Sequence, residues 1–183
     1  MHAISAEASV LVLVDYQARL MPAIHEAAKV SAVAGLLARA AQILGIPVLG
    51  TEQNPSRLGP NIASLKSECT HTLAKTHFDA CADGLLEALE EAGKEGDQVV
   101  IAGCEAHVCM LQTALGLLRA HKQVWVVTNA SGSRRPEDHA AAMNRLEQAG
   151  ATIVTHEMVL FEWLHDCKHP HFREVLELIK TAD

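Results

Sequence analysis

Three ionisable side chains, Asp15, Lys75 and Cys109, stand at or just beyond the ends of short apolar runs. Val10-Leu11-Val12-Leu13-Val14 leads into Asp15, and Leu73-Ala74 leads into Lys75. Val99-Val100-Ile101-Ala102-Gly103 leads through a tight turn to Cys109. A cysteine, a carboxylate and a cation are the parts covalent catalysis requires: a nucleophile, an adjacent base and an orienting charge. The run from Gly103 opens a helix with the cysteine in its first turns, where unpaired backbone N–H groups carry partial positive charge. That placement predicts a thiol pKa below the free value of about 8.5. Each residue also has a plainer reading. Cys109 fits a small buried core position, Asp15 can cap the turn after a strand, and Lys75 can be a surface lysine.

The surrounding elements decide whether the three meet. Apolar runs predict strands at 10–15, 46–50, 71–74, 98–103, 123–128 and 151–154. Helical spacing predicts helices near 26–44, 80–92, 107–120, 136–149 and 168–181. Gly45, Gly93, Gly96 and Gly150 mark helix ends, and Pro136 suits a first-turn position. Runs such as 98–103, apolar nearly throughout, fit parallel strands covered on both faces. The alternation predicts one α/β domain over residues 1–183, a three-layer α/β/α sandwich around a six-stranded, mostly parallel, Rossmann-like sheet. Ligands of open α/β sheets bind beyond the carboxyl ends of the strands. Asp15, Lys75, Cys109 and the segment Thr51-Glu52-Gln53, read as the start of a loop running to residue 70, all fall there.

Bulk properties narrow the classes. The 183 residues carry a net charge of −7, and no basic stretch exceeds Arg134-Arg135, so nothing offers a cationic stripe for nucleic acid. Two Trp, one Tyr and three Phe leave few platforms for stacking on bases. No apolar run approaches the ~18 residues of a membrane span, and the N-terminus lacks the features of a secretory signal. Five cysteines without paired spacing suit free thiols in a reducing compartment, so a cytoplasmic location is expected. No glycine-rich phosphate motif is present, and no cofactor is expected. His165-Asp166-Cys167-Lys168-His169-Pro170-His171 is rich in potential ligands but straddles a proline, and no metal is assigned to it or to Glu105 with His107.

The motifs together resemble the isochorismatase-like cysteine hydrolases, the superfamily of nicotinamidases, N-carbamoylsarcosine amidohydrolases and isochorismatases. Val14-Asp15-Tyr16-Gln17 is similar to the first-strand motif, and Lys75-Thr76 to the lysine after the third strand. Gly103 to Ala114 is similar to the cysteine-bearing G-x-x-x-x-x-C-x-x-x-T-A run, and Asn129 to Ser133 to the loop after the fifth strand. The resemblance implies an Asp15–Lys75–Cys109 triad and a cis peptide at Cys104–Glu105. It further implies an oxyanion hole from the backbone N–H groups of Glu105 and Cys109, and a homo-oligomer. Gln17, Glu52, Gln53, Phe78 and His107 are candidate pocket residues. Nicotinamidases carry an Asp-x-His…His metal site where this chain reads Thr51-Glu52-Gln53-Asn54-Pro55, which disfavours nicotinamide. The segment Thr51 to Pro60 looks most like the isochorismatase domain-containing hydrolases. A small-molecule substrate cleaved at a C–N bond through a thioester is the reaction so implied. The rival expectation is a non-catalytic member that binds small molecules or assembles, with Phe161, Trp163 and Leu164 as an oligomer contact.

Overall fold

A computed structural model describes residues 3–92 and 98–180; Gly93 and Gly96, expected at helix ends, lie outside the described residues. Six strands, β1 (Ser9–Val14), β2 (Val48–Gln53), β3 (His71–Lys75), β4 (Gln98–Gly103), β5 (Gln123–Val127) and β6 (Thr152–Val154), form one sheet in the order β3-β2-β1-β4-β5-β6. Every pairing is parallel. The order reverses direction between β1 and β4, so connections diverge there and leave a crevice at the carboxyl ends.

Strand alternation builds two cores. Leu11, Leu13, Val100, Ala102, Trp125 and Val127 face one layer, and Val10, Val12, Val14, Val99, Ile101 and Val126 the other. The first core is closed by α1 (Ala27–Ile43), α7 (His156–Leu164) and α8 (Phe172–Lys180). The second is closed by α4 (Leu85–Glu91), α5 (Leu111–Arg119) and α6 (Pro136–Gln148). Two single-turn helices, α2 (Pro55–Leu58) and α3 (Ala63–Lys66), lie between β2 and β3.

Four sequence expectations change. Thr51, Glu52 and Gln53 complete β2 instead of opening a loop, because each pairs with β3. The helix expected over 80–92 is split by Gly84 at φ +100° into a 3₁₀ turn, Ala80–Asp83, and α4. The helix expected from 107 opens with a π turn, Ala106–Met110, before α5. The helix expected over 168–181 begins only at Phe172, and a separate helix, α7, precedes it. Its Val159, Leu160, Trp163 and Leu164 are buried, and the Trp163 indole N–H donates to Ser9 Oγ at 3.0 Å. Trp163 and Leu164 are therefore core, and only Phe161 of that trio is exposed.

Candidate active site

Asp15 follows β1 directly and adopts φ +53°, a left-handed conformation that short polar side chains tolerate. Its backbone N–H donates to Thr51 O at 3.2 Å, and its Oδ1 accepts from Thr51 Oγ1 at 2.7 Å. Lys75, the last residue of β3, reaches across β2 to place Nζ 2.8 Å from Asp15 Oδ2, with both side chains fully buried. Nζ also donates to Gln53 Oε1 at 2.6 Å and to the carbonyls of His77 and Phe78 at 3.3 and 3.4 Å. Four oxygens thus surround the Lys75 amino group and fix its position in the site. Although the ion pair is close, Oδ2 has no well-directed hydrogen bond, which leaves acceptor capacity on the carboxylate.

Cys109 approaches this pair from β4. Gly103 ends that strand against β1, and a Cβ there would stand 2.5 Å from both Cβ and O of Val14; only glycine permits the approach. The Cys104–Glu105 peptide is cis, and the π turn then carries Cys109, 6% exposed, with Sγ 3.9 Å from Gln53 Oε1. Burial pushes its thiol up to about 12; the Asp15 charge adds to the rise, and Lys75 opposes it. This reverses the lowered pKa expected from a helix start. Desolvation and a nearby carboxylate outweigh the partial charge of a few amides, so the resting thiol is protonated. No group among the described residues accepts from the Glu105 N–H. The Glu105 carboxylate is held by Arg134 Nε at 2.7 Å.

The fold brings Asp15, Lys75 and Cys109 together, but it uses the expected pocket residues differently. Thr51 and Gln53 share one face of β2, so Glu52 points to the other, where Oε1 accepts from Asn61 N–H and Lys66 Nζ, both at 2.9 Å. Glu52 is therefore not part of the site. Gln17 is buried as a clamp, donating to Gln53 O and Gly59 O and accepting from Gln53 N–H. The Gln53 amide is an internal bridge, its Nε2 donating to Thr76 O at 2.7 Å. Phe78 carries an exposed ring beside the site, while its carbonyl serves Lys75. His107 turns to the β5–α6 loop, with Nδ1 3.0 Å from Ser133 Oγ. Arg134 supports the site without a sequence signal for that role, and Thr51, placed near the site only as part of Thr51-Glu52-Gln53, proves to be a direct partner of Asp15. The parity of β2 could have found Thr51, since it lies two residues from Gln53. Thr113 explains the Thr-Ala ending of the cysteine motif. Its hydroxyl donates to Phe78 O and accepts from Ala80 N–H, tying α5 to the segment after Lys75.

A parallel sheet in this order, with its polar cluster at the strand ends, defines a three-layer α/β/α protein with a hydrolase-type fold. The model for the isochorismatase domain matches residues 9–158, and the chain belongs to that family. Isochorismatase domain-containing protein 2 of Danio rerio is 36% identical over 176 residues, covering 96% of this chain and 89% of the relative. The Homo sapiens protein of that name is 36% identical over 175 residues, covering 94% and 83%. Among solved structures, MAR1 ribonuclease from Caenorhabditis elegans superposes with a TM-score of 0.92 at 33% identity, covering 98% of this chain and 93% of that one. The YcaC gene product of Escherichia coli, described as an octameric hydrolase of unknown specificity, superposes at 0.85 with 24% identity, covering 100% and 98%. Family membership supports a hydrolase.

Proposed function

We propose that this chain hydrolyses a C–N bond of a small amide through a thioester on Cys109. The observation that carries the reading is a fully buried ion pair, Asp15 with Lys75 at 2.8 Å, beside the buried thiol of Cys109. Asp15 takes the thiol proton as Sγ bonds to the substrate carbonyl carbon. The N–H groups of Glu105 and Cys109 receive the oxyanion, a contribution worth about 10²–10³ in rate per donor. As the tetrahedral adduct collapses, the C–N bond breaks and Asp15 returns the proton to the amine. Water then adds to the thioester, gives a proton to Asp15, and the C–S bond breaks to release the acid and restore the thiol. Lys75 orients Asp15 and stabilises the thiolate as it forms. The chemistry requires no cofactor.

The test is a panel of small amides assayed with the wild-type chain and Cys109→Ala, with rapid quench and intact-mass detection of the acyl adduct. The expected result is turnover with an adduct on Cys109, both absent in the variant. Turnover surviving the substitution would overturn the reading. A second reading rests on the C. elegans relative described as a ribonuclease. It predicts cleavage of an oligoribonucleotide, visible on a gel, and the net charge of −7 argues against it. We also propose a cytoplasmic homo-oligomer, for which Met158 and Phe161 form an exposed apolar pair on α7. Mass photometry showing only monomer would exclude the assembly.

A further inference from the structure

A cavity of about 320 Å³ lies at the carboxyl end of β5, between the start of α1 and the β5–α6 loop. It shares no lining residue with Asp15, Lys75 or Cys109. Its floor is built from the buried residues Ser131, Gly132 and Ser133. Hydrogen bonds fix that floor and its walls. Ser131 Oγ donates to Val127 O at 2.8 Å, His25 N–H donates to Ser133 O at 2.9 Å, and His139 Nε2 lies 3.0 Å from Thr128 O. The walls of the cavity are therefore set before any ligand arrives.

The charge around it is opposite to that of the whole chain. Lys29 from α1 and Arg135 from the loop line it from two sides. The charged groups of both make no ion pair or hydrogen bond among the described residues. His25 and His139 also line it, and Glu26 is the one carboxylate there, 4.0 Å from His25. Two unneutralised cations converging on a preformed cavity, in a protein of net charge −7, are a local positive potential that selects anions. Pro136, the first residue of α6, also lines the cavity and brings no N–H, and the acidic Glu137 and Asp138 of that first turn are not among the lining residues. A tetrahedral group of two charges spreads its oxygens in several directions and so meets cations from separate walls through one atom centre. Arg provides a fork and Lys a point charge. The volume is at the small end of ligand pockets, which limits the carrier to a compact one.

We infer that this cavity binds a small phosphomonoester, or phosphate itself, at a site separate from Cys109. The test is isothermal titration of the full chain at low ionic strength with inorganic phosphate, glycerol 3-phosphate, succinate and a single-stranded oligoribonucleotide. Saturable binding of the first two is expected, with succinate weaker, and Cys109→Ala is expected to bind them like the wild type. Lys29→Ala and Arg135→Ala should each weaken binding about ten-fold, while the rate of Cys109 alkylation stays unchanged. Both side chains are exposed, so the variants fold; equal melting temperatures verify this. Absence of saturation by either phosphate probe, or binding that survives both substitutions together, overturns the inference. Succinate binding as tight as phosphate overturns the phosphate assignment, and binding of the oligoribonucleotide alone shows a polymer surface in its place. None of these outcomes depends on Cys109 acting as a nucleophile.

Discussion

At the scale of single residues, the thiol of Cys109 is poised by opposing fields. Asp15 raises its pKa and Lys75 lowers it, on top of the larger rise from burial. Asp15→Asn removes the charge that disfavours the thiolate, so the apparent pKa of Cys109 should fall in that variant even as hydrolysis is lost. The measurement is the pH dependence of iodoacetamide alkylation at Cys109, followed by peptide mass spectrometry. In the wild type, alkylation should rise only well above the free-thiol value of about 8.5. A wild-type pKa below that value, or no change in Asp15→Asn, would contradict the geometry. The residue scale is also where the sequence was most misleading. Helix-start placement argues for an acidic thiol, but the burial that reverses the sign is a property of neighbours distant in the chain.

At the scale of elements, the site depends on two close fits. Gly103 lets β4 meet β1 where Cys104 N–H donates to Val14 O at 2.9 Å. Gly103→Ala should cost about 1–3 kcal/mol through overpacking, read as a lower midpoint in urea, and should displace Cys109 from Asp15. Thr113 secures the segment that gives Lys75 two of its carbonyl partners. Thr113→Val keeps the shape but leaves the Ala80 N–H without a partner and the Phe78 carbonyl with Lys75 alone, at a cost of about 1–3 kcal/mol. It should lower kcat more than it raises KM on any amide that proves to be a substrate. The strand positions were legible because parallel strands buried on both faces read as apolar runs. Helix α7 was not, because Met158, Val159, Leu160, Phe161, Trp163 and Leu164 give it apolar residues on several faces and no amphipathic period.

At the scale of the whole molecule, four thiols are held protonated by the fold. Burial moves Cys69 from 9.0 to about 11, and Cys81, Cys104 and Cys109 from 9.0 to about 12. A folded-state pKa above the unfolded one contributes stability that is complete below pH 9 and is lost as pH rises toward the folded values. The melting temperature should therefore hold to about pH 8.5 and decline from there toward pH 11. Cys104→Ala should make that decline shallower, as differential scanning fluorimetry across the range would show. A melting temperature flat to pH 11 would contradict the burial of these groups.

The six strands, their parallel sheet and the three candidate residues Asp15, Lys75 and Cys109 were legible in the linear sequence. Each rests on local pattern: apolar runs of strand length, helical spacing, and polar residues where the runs end. Tertiary structure alone decided which side chains share a face and a charge environment. It turned Glu52 away by strand parity, made Gln17 and Gln53 internal supports, buried Trp163 against Ser9, and raised the Cys109 pKa. It also assembled the cationic cavity from Lys29 and Arg135, more than a hundred positions apart. These outcomes follow from packing between segments remote in sequence, where desolvation and Coulomb interactions depend on distances that no local pattern encodes.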